Sequence, residues 1–251
     1  MCLLAFAWQQ AGHTLLLLGN RDEFHARPTR PAAFWNAEGH HDLLAGKDLE
    51  AGGTWMGITR SGRFAALTNI RNPALQAGPR SRGELVRNYL TGDLPPGDFV
   101  ASLAAQCDDY AGFNLLAGDL HQLWHLNSSE RDPRPVTPGV HALSNASLDS
   151  PWPKTRCLRS ALAGSLEACD DTLFELLADP RRYPDDQLPT TGISLDWERM
   201  LSAAFIIGQD YGTRASSILR IGLDGSASLV ERRFGPMGRF EGDSRWALQV
   251  G

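Results

Sequence analysis

Cysteine is scarce in this chain. The four present, Cys2, Cys107, Cys157 and Cys169, form no CxxC pair, and no Cys/His group has zinc-finger spacing. Over 251 residues that usage argues against a disulfide framework and for a reducing compartment. Long apolar runs are missing too. None reaches the about 20 residues of a membrane-spanning helix, and the opening Cys2–Trp8 run lacks the basic stretch and length of a secretory leader. Cytoplasm is the expected address, by default rather than by signal. No excess of basic charge is present: the net charge of −5 does not suggest a nucleic-acid partner. There is no P-loop, no GxGxxG after a strand, no HExxH and no GxSxG. His121 and His125 stand four apart on an expected strand, about 13 Å, too far to share a metal, and His40-His41-Asp42 lies in a polar loop. No cofactor or metal is expected from these residues.

What remains is the composition of a globular protein, 42% hydrophobic and 21% charged. The length allows a sizeable core. With no internal repeat, low-complexity tract or linker, residues 1–251 read as one domain. Charge is uneven. Residues 1–90 hold ten Lys/Arg against seven Asp/Glu, the remainder fourteen against twenty-two, which allows an anionic substrate near the N-terminal third without implying one.

Cys2–Trp8 and Thr14–Leu18 read as buried strands, and the short Gln9–His13 link makes them an antiparallel hairpin. Residues 25–42, rich in proline, read as a surface loop. Further strands are expected at Leu43–Ala45, Thr54–Thr59, Arg63–Thr68, Phe113–Ala117, Gln122–Leu126, Val140–Ser144, Ala215–Gly222 and Ser226–Phe234, with an edge strand at Arg245–Val250. Helices are expected from a Ser81–Glu84 capping box through Tyr89, from an Asp98 cap through Gln106, from Pro153 through Leu162, and over Asp170–Leu177. Residues 181–193 read as loop. The order is α+β with mostly antiparallel pairing, and several strands are apolar on both faces, as if covered twice.

The opening dipeptide carries the chemistry. Removal of Met1, favoured by the small side chain after it, leaves Cys2 with a thiol nucleophile and its own α-amine. Their ordinary pKa values, about 8.5 and about 7.7–8.0, make proton exchange between them nearly balanced near neutral pH. The alternative is a small apolar residue opening a buried strand. The hairpin brings Asn20–Glu23 back beside Cys2, so an acidic pair stands near the first thiol.

Asn20-Arg21-Asp22-Glu23 behind Met1-Cys2, Gly52-Gly53-Thr54-Trp55-Met56-Gly57, Ala66-Leu67-Thr68-Asn69, Leu143-Ser144-Asn145 and Tyr211-Gly212-Thr213-Arg214 follow in order over nearly the whole chain. Together they resemble the NRDE family, also called the transport and Golgi organisation 2 family. That family is similar to N-terminal-nucleophile hydrolases of the cholylglycine hydrolase and acyltransferase type. The resemblance implies a four-layer αββα sandwich of two mostly antiparallel sheets. It also implies Cys2 as nucleophile with its own amine as base. Those hydrolases carry Gly-Arg-Asn-x-Asp at the end of the second strand. Here the run is Gly19-Asn20-Arg21-Asp22-Glu23, with Arg and Asn exchanged, so the acid falls on Glu23 without a gap or on Asp22 with one. Strand alternation lets only one of the two face the thiol. A carboxylate there would orient the amine and Arg21 would stabilise the thiolate; the other reading is an Arg–Asp pair pinning a loop. Asn69 and Asn145 each end an apolar strand and would offer an amide N–H to an oxyanion, Asn145 ahead of Asn69. Asparagine at a strand end is also an ordinary turn residue. Arg214 would sit near Cys2 in the hydrolase arrangement, or be a surface arginine.

Two functions stay open. One is a cysteine hydrolase acting on an amide, or a thioester, of a small amphipathic molecule. The other is a non-catalytic carrier, and the resemblance points such a carrier to haem or an acyl-CoA or lipid ligand. Fold membership alone does not choose between them, and oligomeric state is not written in the sequence.

Overall fold

The computed structural model describes residues 1–75 and 78–251. Two antiparallel sheets and five α-helices form an α+β architecture among the described residues. The first sheet runs in the order β10 (Gly139–Leu143), β1 (Cys2–Gln10), β2 (His13–Phe24), β11 (Tyr211–Gly222), β12 (Ser226–Gly235) and β13 (Arg239–Gln249). The second follows chain order: β3 (Thr29–Trp35), β4 (His40–Asp48), β5 (Met56–Thr59), β6 (Phe64–Asn69), β7 (Phe113–Gly118), β8 (Leu123–Asn127) and β9 (Arg134–Pro135).

The doubly apolar strands are explained by four layers. Leu4, Phe6 and Trp8 of β1 point into the core between the sheets with Leu17, Ile58, Phe64 and Leu116. Leu3, Ala5 and Ala7 point outward, where α3 (Pro153–Ala163) and α4 (Asp170–Leu177) cover them with Leu158, Leu162, Leu173 and Leu177. The second sheet is capped likewise by Leu85, Val86 and Tyr89 of α1 (Gly83–Thr91) and by Val100 and Leu103 of α2 (Pro96–Ala104). Each fully buried Leu or Phe contributes about 1.5–3 kcal/mol, so β1, buried along nearly its whole length on both faces, is a principal source of stability as well as the strand that carries Cys2.

The expected hairpin is present and tighter than expected. Ala11 (φ 50°) and Gly12 (φ 79°) alone link Gln10 to His13, the left-handed pair that a two-residue turn needs.

Several expectations are corrected. Residues 25–42 are not a loop. They hold β3 and the start of β4, because Pro31 sits on an edge strand where its missing N–H costs no ladder bond, and a register shift between Arg30 and Ala33 absorbs it. The strand at residues 54–59 begins only at Met56, since Thr54 turns its backbone N–H to Gly83 O at 3.0 Å. The reciprocal capping box does not form: Ser81 Oγ accepts from Gly83 N at 3.3 Å, while Glu84 Oε1 takes Arg80 and the Tyr110 hydroxyl. The next helix starts at Pro96 behind Pro95, ahead of Asp98, which lies inside its first turn. The last strand is an edge strand as expected but begins six residues earlier, at Arg239. A short α5 (Leu195–Leu201) was not expected.

Candidate functional site

Cys2 opens β1 directly across from Arg21 on β2. Strand parity then sorts the end of β2. Gly19, paired with Leu4, faces the opposite sheet, where a Cβ would fall 2.7 Å from Leu4 Cδ2 and 2.9 Å from the Trp55 ring. Arg21 and Glu23 share that face with Cys2 and lie 3.9 Å apart as an ion pair, with Asp48 3.8 Å from the same guanidinium. Asn20 and Asp22 turn to the helix side. Asn20 Nδ2 donates to Leu177 O and Ala204 O, both at 2.8 Å, and Asp22 Oδ1 accepts from Thr213 Oγ1 at 2.7 Å. Glu23 is therefore the acid on the thiol's face, and Asp22 lies behind it.

Between the sheets, at this end, opens a cleft of about 680 Å³. Cys2 is the one thiol among its described lining residues, which include eight Arg/Lys and six carboxylates. Some cations are neutralised locally: Arg27 Nε lies 2.7 Å from Asp48 and its Nη1 3.3 Å from Glu50. Arg82 and Arg214 instead donate to main-chain carbonyls, Arg82 to Gly112 O at 3.1 Å, Arg214 to Phe24 O at 3.0 Å and Arg27 O at 2.9 Å. Among the described residues neither has a carboxylate within ion-pair range, so the wall they form is positively charged. Arg214 thus lines the same cleft as Cys2, with its guanidinium held on the 24–29 backbone.

Burial pushes the Cys2 thiol up from its ordinary pKa, opposed by the N-terminal amine, reinforced by Asp22 and opposed again by Arg21. Burial pushes the Met1 amine down. That amine donates to Asp22 O at 2.6 Å and to Tyr211 Oη at 3.1 Å.

Behind the thiol lies a buried polar network the sequence did not reveal. Arg71 Nη1 donates to Glu198 Oε2 at 2.5 Å, with the side chains only 2% and 4% exposed. Glu198 Oε1 accepts from Thr191 N at 3.0 Å and from Thr191 Oγ1 at 2.5 Å. Arg71 Nη2 donates to Asn145 Oδ1 at 3.2 Å, and Asn145 Nδ2 donates to Asn69 O at 2.9 Å. Lys154 Nζ donates to Leu201 O at 2.7 Å; burial, with Arg71 adding, pushes its pKa down to about 8. Asp22 is raised by burial, and its Oδ2 has no hydrogen-bond partner among the described residues.

The two asparagines sit differently in the site. Asn145 is fully enclosed, with its amide committed to Asn69 O and its oxygen to Arg71 and to Ser144 Oγ at 3.1 Å. Asn69 lines the cleft, and Asn145 braces the backbone that presents it. A sequence signal existed for Arg71, two residues beyond Asn69 at the strand end. Lys154 sits in a stretch that reads as an ordinary helix, and Glu198 in one for which no element was expected.

Among the described residues no group of three or more His, Cys, Asp and Glu side chains is placed to hold a metal ion. No helix there is long and apolar enough to cross a membrane. Cys2 and Cys107 are buried free thiols, Cys157 and Cys169 exposed ones.

A family model described as Transport and Golgi organisation 2 matches residues 1–236. The Transport and Golgi organization protein 2 homologs of Bos taurus and Homo sapiens are each 34% identical over 257 residues, covering 92% of this chain and 92% of each relative. Among solved structures, the C2A mutant of the conjugated bile acid hydrolase from Clostridium perfringens matches with a TM-score of 0.52 at 8% identity, over 99% of this chain and 92% of that one. This last likeness is one of fold, that of the N-terminal-nucleophile hydrolases. With a family model over nearly the whole chain and relatives a third identical along it, the protein belongs to the Transport and Golgi organisation 2 family.

Proposed function

We propose that the protein is a cysteine N-terminal-nucleophile hydrolase that cleaves an amide or thioester of a small amphipathic, anionic substrate. The observation that carries the reading is Cys2 at the start of β1, its thiol facing the cationic cleft across from Arg21. Once Met1 is removed, the Cys2 amine takes the thiol proton and Sγ attacks the carbonyl. Arg21, on the same face, favours the thiolate. The Asn69 amide donates to the oxyanion, an interaction worth roughly 3–4 kcal/mol in comparable sites. The ammonium returns its proton to the departing nitrogen or sulfur, and water activated by the amine releases the acyl group from Sγ.

The test is turnover of a panel of chromogenic amides and thioesters by protein lacking Met1, beside Cys2→Ala. Turnover lost in Cys2→Ala is expected; turnover that survives the substitution overturns the reading.

A carrier is the second reading, favoured by the buried, raised thiol and by the amine that Met1 occupies. A carrier binds without turnover whether or not Cys2 is present. The charged lining, with Trp55 and Leu67 its main large apolar side chains, suits an acyl-CoA or other anionic lipid better than the flat apolar ring of haem.

A further inference from the structure

Met1 marks a second feature of the site. Its side chain lies against a closed apolar group, Leu201, Ala203, Ile206 and Tyr211. The same residue also lines the polar cleft beside Cys2. Main-chain bonds pin it at that junction: its amine donates to Asp22 O at 2.6 Å, and Asp22 N donates to Met1 O at 2.8 Å. Side chains alternate along a strand, so Cys2 opens toward the cleft while Met1 turns to the helix side, at the end of the first sheet. Trp197 stands edge-on to Tyr211 with ring centroids 5.3 Å apart. Loss of Met1 would therefore uncover an apolar slot that joins the cleft at the Cys2 nitrogen.

We infer that this slot is the acyl subsite, and that the Met1 side chain holds the place of an unbranched aliphatic acyl group whose carbonyl is presented to Cys2 Sγ. The inference rests on the hydrolase reading above. The slot admits a flexible chain of the size of a methionine side chain, and the polar remainder of the substrate lies in the cationic cleft. In the acyl transfer, the Sγ–carbon bond forms and the bond from that carbon to the leaving sulfur or nitrogen breaks. The thiol proton passes to the Cys2 amine and from there to the leaving atom, and nothing is oxidised or reduced.

Burial of a methylene is worth about fourfold in rate when it occurs in the transition state. Three methylenes beyond acetyl then give a pentanoyl donor roughly a 60-fold advantage. The test uses full-length protein purified without Met1 and two probes, phenyl thioacetate and phenyl thiopentanoate. Intact mass and peptide mapping read acylation at Cys2, whether the acyl group stays on Sγ or has passed to the Cys2 amine. The expected result is a large pentanoyl-to-acetyl ratio that collapses toward one in Ala203→Leu, which fills the slot. Should that variant not fold, Leu201→Ala lengthens the slot and is expected to move the preference to longer chains. Acylation of Cys2 with a ratio near one, or a ratio unmoved by the slot variants, overturns the subsite and leaves the nucleophile standing. Retention of Met1, or no adduct at Cys2 from either thioester, overturns both.

Discussion

Replacing Glu198 by Gln tests whether the buried network behind the thiol is structural in the way its geometry implies. Glu198 is the charged partner of Arg71 at 2.5 Å and accepts two bonds from Thr191 on its other oxygen. Glutamine keeps the shape but has one acceptor oxygen and an amide N–H₂. Whichever way the amide turns, either Arg71 or the Thr191 N–H meets a donor. Arg71 is left as an uncompensated buried charge, which costs about 3–5 kcal/mol where such pairs have been broken. At about 2–4 °C per kcal/mol for a chain of this size, Tm falls by roughly 6–20 °C. Urea unfolding of wild type, Glu198→Gln, Arg71→Met and the double variant Arg71→Met/Glu198→Leu reads the effect directly. The double variant, which removes both charges, is expected to recover most of the loss. A single-variant loss below about 1 kcal/mol would refute the reasoning, because a pair that costs so little to break is either hydrated or not formed.

Other outcomes follow from the same geometry. Arg21→Met removes the cation across from Cys2 and is expected to slow alkylation of that thiol at pH 7.5 about 3–10-fold, measured against Cys107 in the same protein. Asn69→Ala is expected to lower kcat by about 10²-fold or more with little change in KM, whereas Asn145→Ala chiefly lowers stability. Burial pushes His125 down to about 4, so the folded protein holds it neutral while the unfolded chain protonates it below about 6.5. The stability it contributes is full above pH 6.5 and is lost as pH falls toward 4, about 3 kcal/mol in total. Urea titrations of His125→Gln across that window are expected to lack this part of the slope.

Cover on both sheet faces was legible because Cys2–Trp8 and Leu15–Leu18 are apolar at every position, which only a strand covered on both faces tolerates, and the short Gln9–His13 link and the Asp224-Gly225 dipeptide announced their hairpins. β3 was not, because Pro28 and Pro31 read as loop until the strand is known to lie at a sheet edge. Within the site, Cys2 and the Asn20–Glu23 run were visible from the hairpin alone. The choice between Asp22 and Glu23 needed the register, since a one-residue shift exchanges the faces. The Arg71–Glu198 pair joins segments 127 residues apart, and nothing local distinguishes Glu198 from a solvated residue of a short helix. The partners of Asn145 were hidden for a related reason: a strand-end amide looks free until Arg71 and the Asn69 carbonyl are found to claim it.

The central claim is that Cys2 is an N-terminal nucleophile. Intact-protein mass spectrometry of the purified protein, before and after brief exposure to a thiol-directed acylating probe, tests it most directly. The account predicts that Met1 is absent and that one fast adduct maps to Cys2 and is missing in Cys2→Ala. Met1 retained, or a Cys2 no more reactive than the buried Cys107, would contradict it.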